Sequence, residues 1–269
     1  MKIGIVGCAG RMGQMLVQEV LKTPGCVLAG GVEGSNSPAI GADVTGYFGF
    51  PESGLIISEA SEHLFKLSDV VIDFTVPTAT AQHLKFAENN NTSLILGTTG
   101  HDQKELLEIE KTASRVVIVK AMNFSIGVNA LFAVTEQLSS LLDDDFDIEI
   151  LEMHHKHKVD APSGTALALG EVAAKGKGVK LDDVAVRGRN GLIGERKKHE
   201  IGFASLRGGE VVGDHTVIFA GENERIELIH KASSRSIFSK GAIFAALWAK
   251  GQSPGLYNML DVLGFKAGT

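Results

Sequence analysis

At 269 residues, 44% of them hydrophobic and 22% charged, the chain has the make-up of a soluble globular protein large enough for two ordinary domains. A formal net charge of -6 gives no electrostatic footprint for nucleic acid or an anionic membrane. No apolar run approaches the roughly 18 residues of a membrane helix. The two cysteines, Cys8 and Cys26, make no disulfide framework, and the opening MKIGIVG reads as a strand entering a turn rather than a signal peptide. A reducing, cytoplasmic setting is expected.

The first part of the chain alternates short apolar strands with amphipathic helices. Lys2–Gly7 reads as a buried strand and Arg11–Lys22 as a helix with Met12, Leu16, Val20 and Leu21 on one face. Thr23-Pro24-Gly25 stops that helix. Val27–Val32 is the next expected strand, and Val70–Phe74 a third, with a helix over Thr80–Asn89 after it. Ser93–Leu96 follows as a fourth strand, then a helix over Gln103–Ala113, then a strand over Val116–Val119. This rhythm predicts a parallel, doubly wound sheet with right-handed crossovers over residues 1–125.

Near Asn123 the rhythm changes. A helix is expected over Val128–Leu142, a strand over Asp147–Met153, a His-rich loop, and a helix from about Ser163 to Lys175. Strands over Glu200–Leu206, Val211–Ala220 and Arg225–His230 come next, the later two without a helix between them, which predicts a mixed sheet in an α+β domain over 126–235. Ahead of these strands, the cations Arg187, Arg189, Arg196, Lys197 and Lys198 read as a solvated loop. Ile237–Lys250 reads as an apolar helix, and Leu256–Leu263 as a last helical turn or two.

Two stretches carry chemistry. Gly7-Cys8-Ala9-Gly10-Arg11-Met12-Gly13 lies between the first strand and the first helix, where a dinucleotide pyrophosphate needs a tight turn, close backbone approach and free helix N–H groups. Ala9 stands where the usual fingerprint has its second glycine. Glu33 ends the second strand 20 residues after Gly13 (33 − 13 = 20), the place of a carboxylate that accepts hydrogen bonds from the adenosine ribose. Gly34-Ser35-Asn36-Ser37 then offers no cation for a 2′-phosphate, so NADH is the expected cofactor. NADPH use stays open through Arg11. The second stretch, His154-His155-Lys156-His157-Lys158-Val159-Asp160, precedes the helix start Ser163-Gly164-Thr165. Cations beside a helix N-terminus suit a dianionic substrate, and histidine suits proton transfer near neutral pH. The adjacent lysines repel a metal ion, so no metal is expected; His157 and Asp160 read as members that fix the loop. Another two-domain nicotinamide dehydrogenase, or a non-catalytic NAD(P)H sensor, shares the first stretch.

The run HHKHKVDAPSGTA resembles the signature loop of the 4-hydroxy-tetrahydrodipicolinate reductase (dihydrodipicolinate reductase) family. Asp73-Phe74-Thr75, Gly97-Thr98-Thr99-Gly100, Asn123-Phe124-Ser125, Ile201-Gly202-Phe203-Ala204, Gly213-Asp214-His215-Thr216 and His230–Arg235 resemble further family segments in order. The resemblance implies a Rossmann-type N-terminal domain, a substrate-binding and oligomerisation domain, and a C-terminal helical segment over 236–269 returning to the first domain. It implies NAD(P)H-dependent reduction of a small cyclic dicarboxylate in diaminopimelate and lysine biosynthesis, by a homotetramer. By resemblance His154 is the general acid–base and Lys158 a proton donor, while His155, Gly164 and Thr165 hold substrate carboxylates. Gly7, Cys8, Ala9, Gly10, Arg11, Met12, Glu33, Gly97, Thr98, Thr99, Ala121, Met122, Asn123 and Phe124 line the cofactor. The chain departs from the family where Gly34 and Val76 stand in place of arginines that members often carry.

Overall fold

The first segment, Lys2–Val6, forms strand β1, whose Ile3, Gly4, Ile5 and Val6 are all buried because apolar residues face both ways from an extended backbone. In the computed structural model, which describes residues 1–265, the elements follow in this order. After β1 come α1 (Arg11–Lys22), β2 (Val27–Val32), α2 (Ser61–Leu67), β3 (Val70–Asp73) and α3 (Pro77–Asn90). Then come β4 (Ser93–Leu96), α4 (Gln103–Ala113), β5 (Val117–Lys120), α5 (Ile126–Leu141) and β6 (Asp147–His154). Next are α6 (Gly164–Gly176), α7 (Leu181–Val184), β7 (Ala185–Val186), β8 (Ile201–Arg207) and β9 (Gly213–Ala220). Last are β10 (Arg225–Ala232), α8 (Ser236–Ala249), β11 (Gly255–Tyr257) and α9 (Met259–Val262). The chain divides into two compact units, Met1–Ile126 with the chain from Ser236 onward, and Gly127–Arg235.

In the first unit, six parallel strands are ordered β11-β5-β4-β3-β1-β2. The chain leaves β1 for β2 on one side and then crosses to β3 on the other, which opens a crevice at the carboxyl ends of those strands. Ile3 and Ile5 face a core with Leu16, Val17 and Val20 of α1 and Ala242, Ile243 and Ala246 of α8. Val6 faces the opposite core, with Phe65 of α2, Leu84 of α3 and Ile109 of α4. Strands buried on both faces in this way need helices on both sides, and the sequence supplies them.

In the second unit the sheet is mixed, ordered β10-β9-β6-β8-β7, with β6 parallel to β8 and antiparallel to β9. α6 covers one face through Ala166, Leu169 and Ala173, which pack with Ile148, Ile150, Phe203, Val217 and Phe219. The other face leaves Leu151, Met153, Thr216 and Ile218 half-buried.

Three sequence expectations differ from this structure. Leu256–Leu263 is a strand and then a helix: β11 pairs with the open edge of β5, and Asn258 with Asp261 forms a capping box that starts α9 only at Met259. The helix expected from Thr80 starts at Pro77, whose fixed φ suits a first helical turn. The cation run is not merely solvated. Arg189 pairs with Glu149 at 2.8 Å, and Arg196 reaches Glu149 at 3.1 Å and also pairs with Asp147, so these two arginines clamp β6. Residues 266–269 of the expected C-terminal segment lie outside the described residues. Among the described residues no helix is long and apolar enough to cross a membrane.

Candidate functional site

Each unit carries one concentration of polar, ligand-ready groups. In the first, the turn after β1 is tied down by N–H bonds from Gly7 and Cys8 to the Val32 carbonyl, 2.9 and 3.2 Å. Gly7 holds φ +67°, a left-handed angle that glycine adopts without strain. At Gly13 a Cβ would collide with the carbonyl groups of Gly7 and Cys8, so glycine is what lets α1 pack on the turn. Gly10 caps α1 without a side-chain bond, which leaves N–H groups of the first turn available to an anion. Glu33 reaches across from the end of β2, and its Oε1 accepts a bond from the Ala9 N–H at 2.7 Å.

Beside this turn opens a cleft of about 940 Å³ lined by Gly7, Ala9, Gly10, Glu33, Ser35 and Thr75 among others. Its described lining contains the carboxylates of Glu33 and Glu59 and no lysine or arginine. Arg11 is exposed at the start of α1, outside the lining, and Met12 is half-buried. Cys8 turns inward against Gly31, and burial pushes its thiol up to about 12, with Glu33 adding to the shift. Only the main chain of Cys8 faces the turn.

The other expected cofactor residues lie along the same carboxyl edge. Asp73, fully buried at the end of β3, accepts bonds from Thr75 N (2.8 Å), Thr75 Oγ1 (2.6 Å) and Thr98 Oγ1 (3.1 Å), and pairs with His83 Nδ1 at 2.7 Å. Burial pushes the Asp73 carboxyl up, but His83 and Thr75 outweigh it and hold the group below its ordinary range. This carboxylate fixes the loops after β3 and β4 to one another. Gly97 is pressed by the Phe74 ring where a Cβ would stand, and Thr99 is exposed. After β5, Ala121 is half-buried and Met122 exposed, Asn123 Oδ1 accepts from Ser125 N at 2.8 Å, and Phe124 packs its ring 5.3 Å from Phe74. A cradle of free helix N–H groups, a carboxylate beyond it and an open cleft fit a dinucleotide.

In the second unit the site is built on β6. Its alternation sends Ile148, Ile150, Glu152 and His154 to the buried face. A carboxylate there is costly unless paired. Glu152, 1% exposed, accepts from His154 Nδ1 at 2.5 Å, Arg207 Nη1 at 2.8 Å and Ser163 N at 3.2 Å. Burial pushes the Glu152 carboxyl up, and the bonds from Arg207, His154 and Ser205 outweigh it and keep the group ionised. Because Glu152 holds Nδ1–H, the Nε2 of His154 is left for chemistry. Gly213 keeps the space before Nε2 clear, since a Cβ there would sit 3.0 Å from it. Desolvation is the main influence lowering the pKa of His154; Glu152 opposes it, and Lys158 and Arg207 add to it.

His215 of β9 stands opposite Glu152 in register, with its ring edge-on to His154 at 5.1 Å. Its Nε2 lies 3.1 Å from Ser163 Oγ, which also accepts from Ala166 N at 3.1 Å and so caps α6. Gly164, the first residue of α6, is exposed with open space where a Cβ would stand, and Thr165 beside it is half-buried. Lys158 is held by Asp160 at 2.9 Å, and the Asp160 carbonyl accepts from Arg207 at 2.6 Å. His155 is anchored by its N–H to the Val211 carbonyl at 2.8 Å, with Nε2 3.5 Å from Arg235. His157 is exposed, 4.0 Å from Glu210. The structure thus gathers His154, Lys158 and the start of α6 around Glu152 and Arg207. Sequence reasoning assigned nothing to Glu152, Arg207, His215 or Arg235. A carboxylate two residues before a histidine, on the buried face of one strand, was the available signal for the first of these.

Models of the dihydrodipicolinate reductase N-terminus and C-terminus match residues 1–124 and 127–263. A 4-hydroxy-tetrahydrodipicolinate reductase of Rhodopseudomonas palustris (strain BisB18) is 50% identical over 264 residues, 98% of this chain and 97% of that protein. One of Parvibaculum lavamentivorans is 51% identical over 266 residues, 98% of each chain. Among solved structures, the dipicolinate-bound dihydrodipicolinate reductase from Paenisporosarcina sp. TG-14 shares the fold with a TM-score of 0.77 at 24% identity, over 97% of this chain and 98% of that one. An amine dehydrogenase from Mycobacterium smegmatis also resembles it, with a TM-score of 0.61 at 9% identity over 96% of this chain and 95% of that one. With both halves matched and half of all residues identical to such relatives, the chain belongs to the dihydrodipicolinate reductase family.

Proposed function

We propose that this protein reduces 4-hydroxy-tetrahydrodipicolinate with a nicotinamide cofactor, in the synthesis of diaminopimelate and lysine. The observation that carries the proposal is the His154–Glu152 pair beside the exposed first residue of α6, Gly164, in a chain of this family. A bound dihydronicotinamide supplies the hydride. The first turn of α1, Glu33, Gly97 to Thr99 and Ala121 to Phe124 hold it. The described lining of the cleft, acidic and without lysine or arginine, supports NADH as the preferred form.

The substrate's two carboxylates suit the N–H groups of Gly164 and Thr165 and the side chain of His155. Loss of the ring hydroxyl as water leaves a conjugated C=C–C=N system. Hydride adds to the alkene end, and a proton on the neighbouring carbon restores the imine. His154 Nε2 and Lys158 Nζ are the donors within this cluster, and both offset negative charge as it develops. In the same reading the protein works in the cytoplasm, and the half-buried Leu151, Met153 and Ile218 face supports a homotetramer built on the second unit's sheet.

The test is the loss of NADH absorbance, and separately of NADPH absorbance, with freshly generated substrate. The variant His154→Gln should lower kcat by roughly 10²–10⁴, the usual size of general acid catalysis, while NADH binding measured by fluorescence stays unchanged. Unchanged turnover in that variant would remove His154 from the mechanism. No oxidation of either cofactor by a protein that binds both would remove the reaction.

A further inference from the structure

We propose that Glu152 and Arg207 are positioning residues of the reduction: Glu152 orients His154 so that it presents Nε2, and Arg207 locks Glu152 while opposing the charge of the imidazole. The proposal rests on His154 being the general acid. Its geometry is independent of that reading. Glu152 is buried, and its two oxygens are divided between partners: Oε2 takes His154 Nδ1 and Arg207 Nη1, and Oε1 takes the Ser163 N–H. One carboxylate therefore fixes the ring of His154, the strand β8 that supplies Arg207, and the first turn of α6. The parallel register sets Arg207 directly opposite His154, and Ser205, which also bonds Glu152, directly opposite Glu152, so Arg207 is the one of these two that brings a charge.

A buried carboxylate of this kind is poor material for stability alone. An apolar residue of similar volume would pack with Ile148 and Ile150 on the same face at no desolvation cost. Its use is directional. A neutral imidazole has two tautomers, and only the one with hydrogen on Nδ1 leaves Nε2 able to take a proton from solvent and deliver it. Around the ring, Glu152 acts from β6, Arg207 from β8, His215 from β9, and Lys158 from the loop after β6. Glu152 raises the proton affinity of His154, whereas Lys158 and Arg207 lower it. His215 is itself held neutral, so it adds contact but little charge. Asp160 draws off part of the charge of Lys158. Arg207 and Glu152 thus pull the same proton in opposite directions.

Opposed signs make the test sharp. In Glu152→Gln the charge is lost and the shape kept. The titration of His154, followed by NMR of imidazole ¹⁵N resonances, should move to lower pH by about one unit, and the Nε2–H tautomer should become populated. In Arg207→Met the titration should move to higher pH, and Arg207→Lys should restore most of the original value. The high-pH limb of kcat should follow the NMR titration in each variant, so Glu152→Gln loses roughly tenfold more activity on the alkaline side of the His154 titration than on its acid side. A merely structural role predicts loss of melting temperature in both variants with no opposed shift. Shifts of the same sign, or none, overturn the proposal. If Glu152→Gln fails to fold, the Arg207 pair decides alone: a rise that lysine reverses supports the proposal, and an unmoved titration overturns it. NMR shifts of opposite sign with an unmoved kcat profile would support the positioning and overturn His154 as the acid.

Discussion

Cofactor preference is where the cleft makes its sharpest quantitative statement. The Glu33 carboxylate is fixed by its bond from Ala9 N–H and sits on the cleft wall with Glu59, and no lysine or arginine is in the described lining. A 2′-phosphate on the adenosine ribose would approach Glu33. Two unit charges about 5 Å apart, at an effective dielectric of about 20, repel by about 3 kcal/mol. Salt and the open mouth of the cleft reduce this to about 1.5–3 kcal/mol. At 1.4 kcal/mol per factor of ten, kcat/KM for NADH should exceed that for NADPH by roughly 10- to 150-fold. In Glu33→Gln the repulsion goes and the ratio should fall to within a few-fold of one, chiefly by a rise with NADPH. Gly34 has open space where a Cβ would stand and a φ outside the left-handed region, so Gly34→Arg is accommodated and should turn the preference towards NADPH. Steady-state rates with each cofactor at fixed ionic strength measure all three. Wild-type protein that uses NADPH equally well, or a Glu33→Gln variant with an unchanged ratio, would refute the electrostatic reasoning.

Two further outcomes are expected. Gly13→Ala drives a methyl group into the carbonyls of Gly7 and Cys8, backbone that cannot step aside, and should cost about 1–3 kcal/mol, seen as a melting temperature several degrees lower and weaker NADH binding. His215, 3% exposed, is pushed down from 6.5 to about 4 by desolvation, with His154 adding to the shift. A histidine held neutral in the fold but free to protonate when unfolded contributes stability above pH 6.5 that is lost as pH falls towards 4. The loss amounts to about 3 kcal/mol at 1.36 kcal/mol per unit. Urea unfolding at pH 7 and pH 4.5 should show His215→Gln losing less stability on acidification than the wild type, and parallel losses would contradict the assignment.

Much of the first unit was legible because its signals are local. Thr23-Pro24-Gly25 ends α1 at Lys22, and the Asp102–Glu105 capping box starts α4 at Gln103, so both helices fall where the sequence puts them. The turn at Gly7 and Gly13 is legible for the same reason: its glycines answer to backbone angle and close approach within a few residues. β11 was not. A three-residue strand is stabilised by pairing with β5, far away in sequence, while Leu256, Met259, Leu260 and Leu263 carry a helical spacing of their own. The clamp of Arg189 and Arg196 on Glu149 was hidden likewise, because a charge run looks the same whether water or β6 satisfies it.

The second site divides along the same line. His154, Lys158 and Gly164 are close in sequence and can be read as one cluster, but the groups that make His154 usable come from elsewhere. Arg207 meets His154 through the register of β6 with β8, and His215 meets Glu152 through that of β6 with β9. A one-residue slip in either pairing would carry the partner to the opposite face of the sheet. The apolar residues Ile148, Ile150, Val217 and Phe219 fix that register by their burial. The hydrophobic half of the sheet therefore aligns the polar half: the same alternation that packs α6 over β6 delivers a carboxylate and an imidazole at the end of the strand where α6 begins. A change that loosens the core, such as Ile150→Ala, should thus disturb the pH profile of the reaction as well as the melting temperature, although Ile150 carries no polar group and belongs to the apolar core.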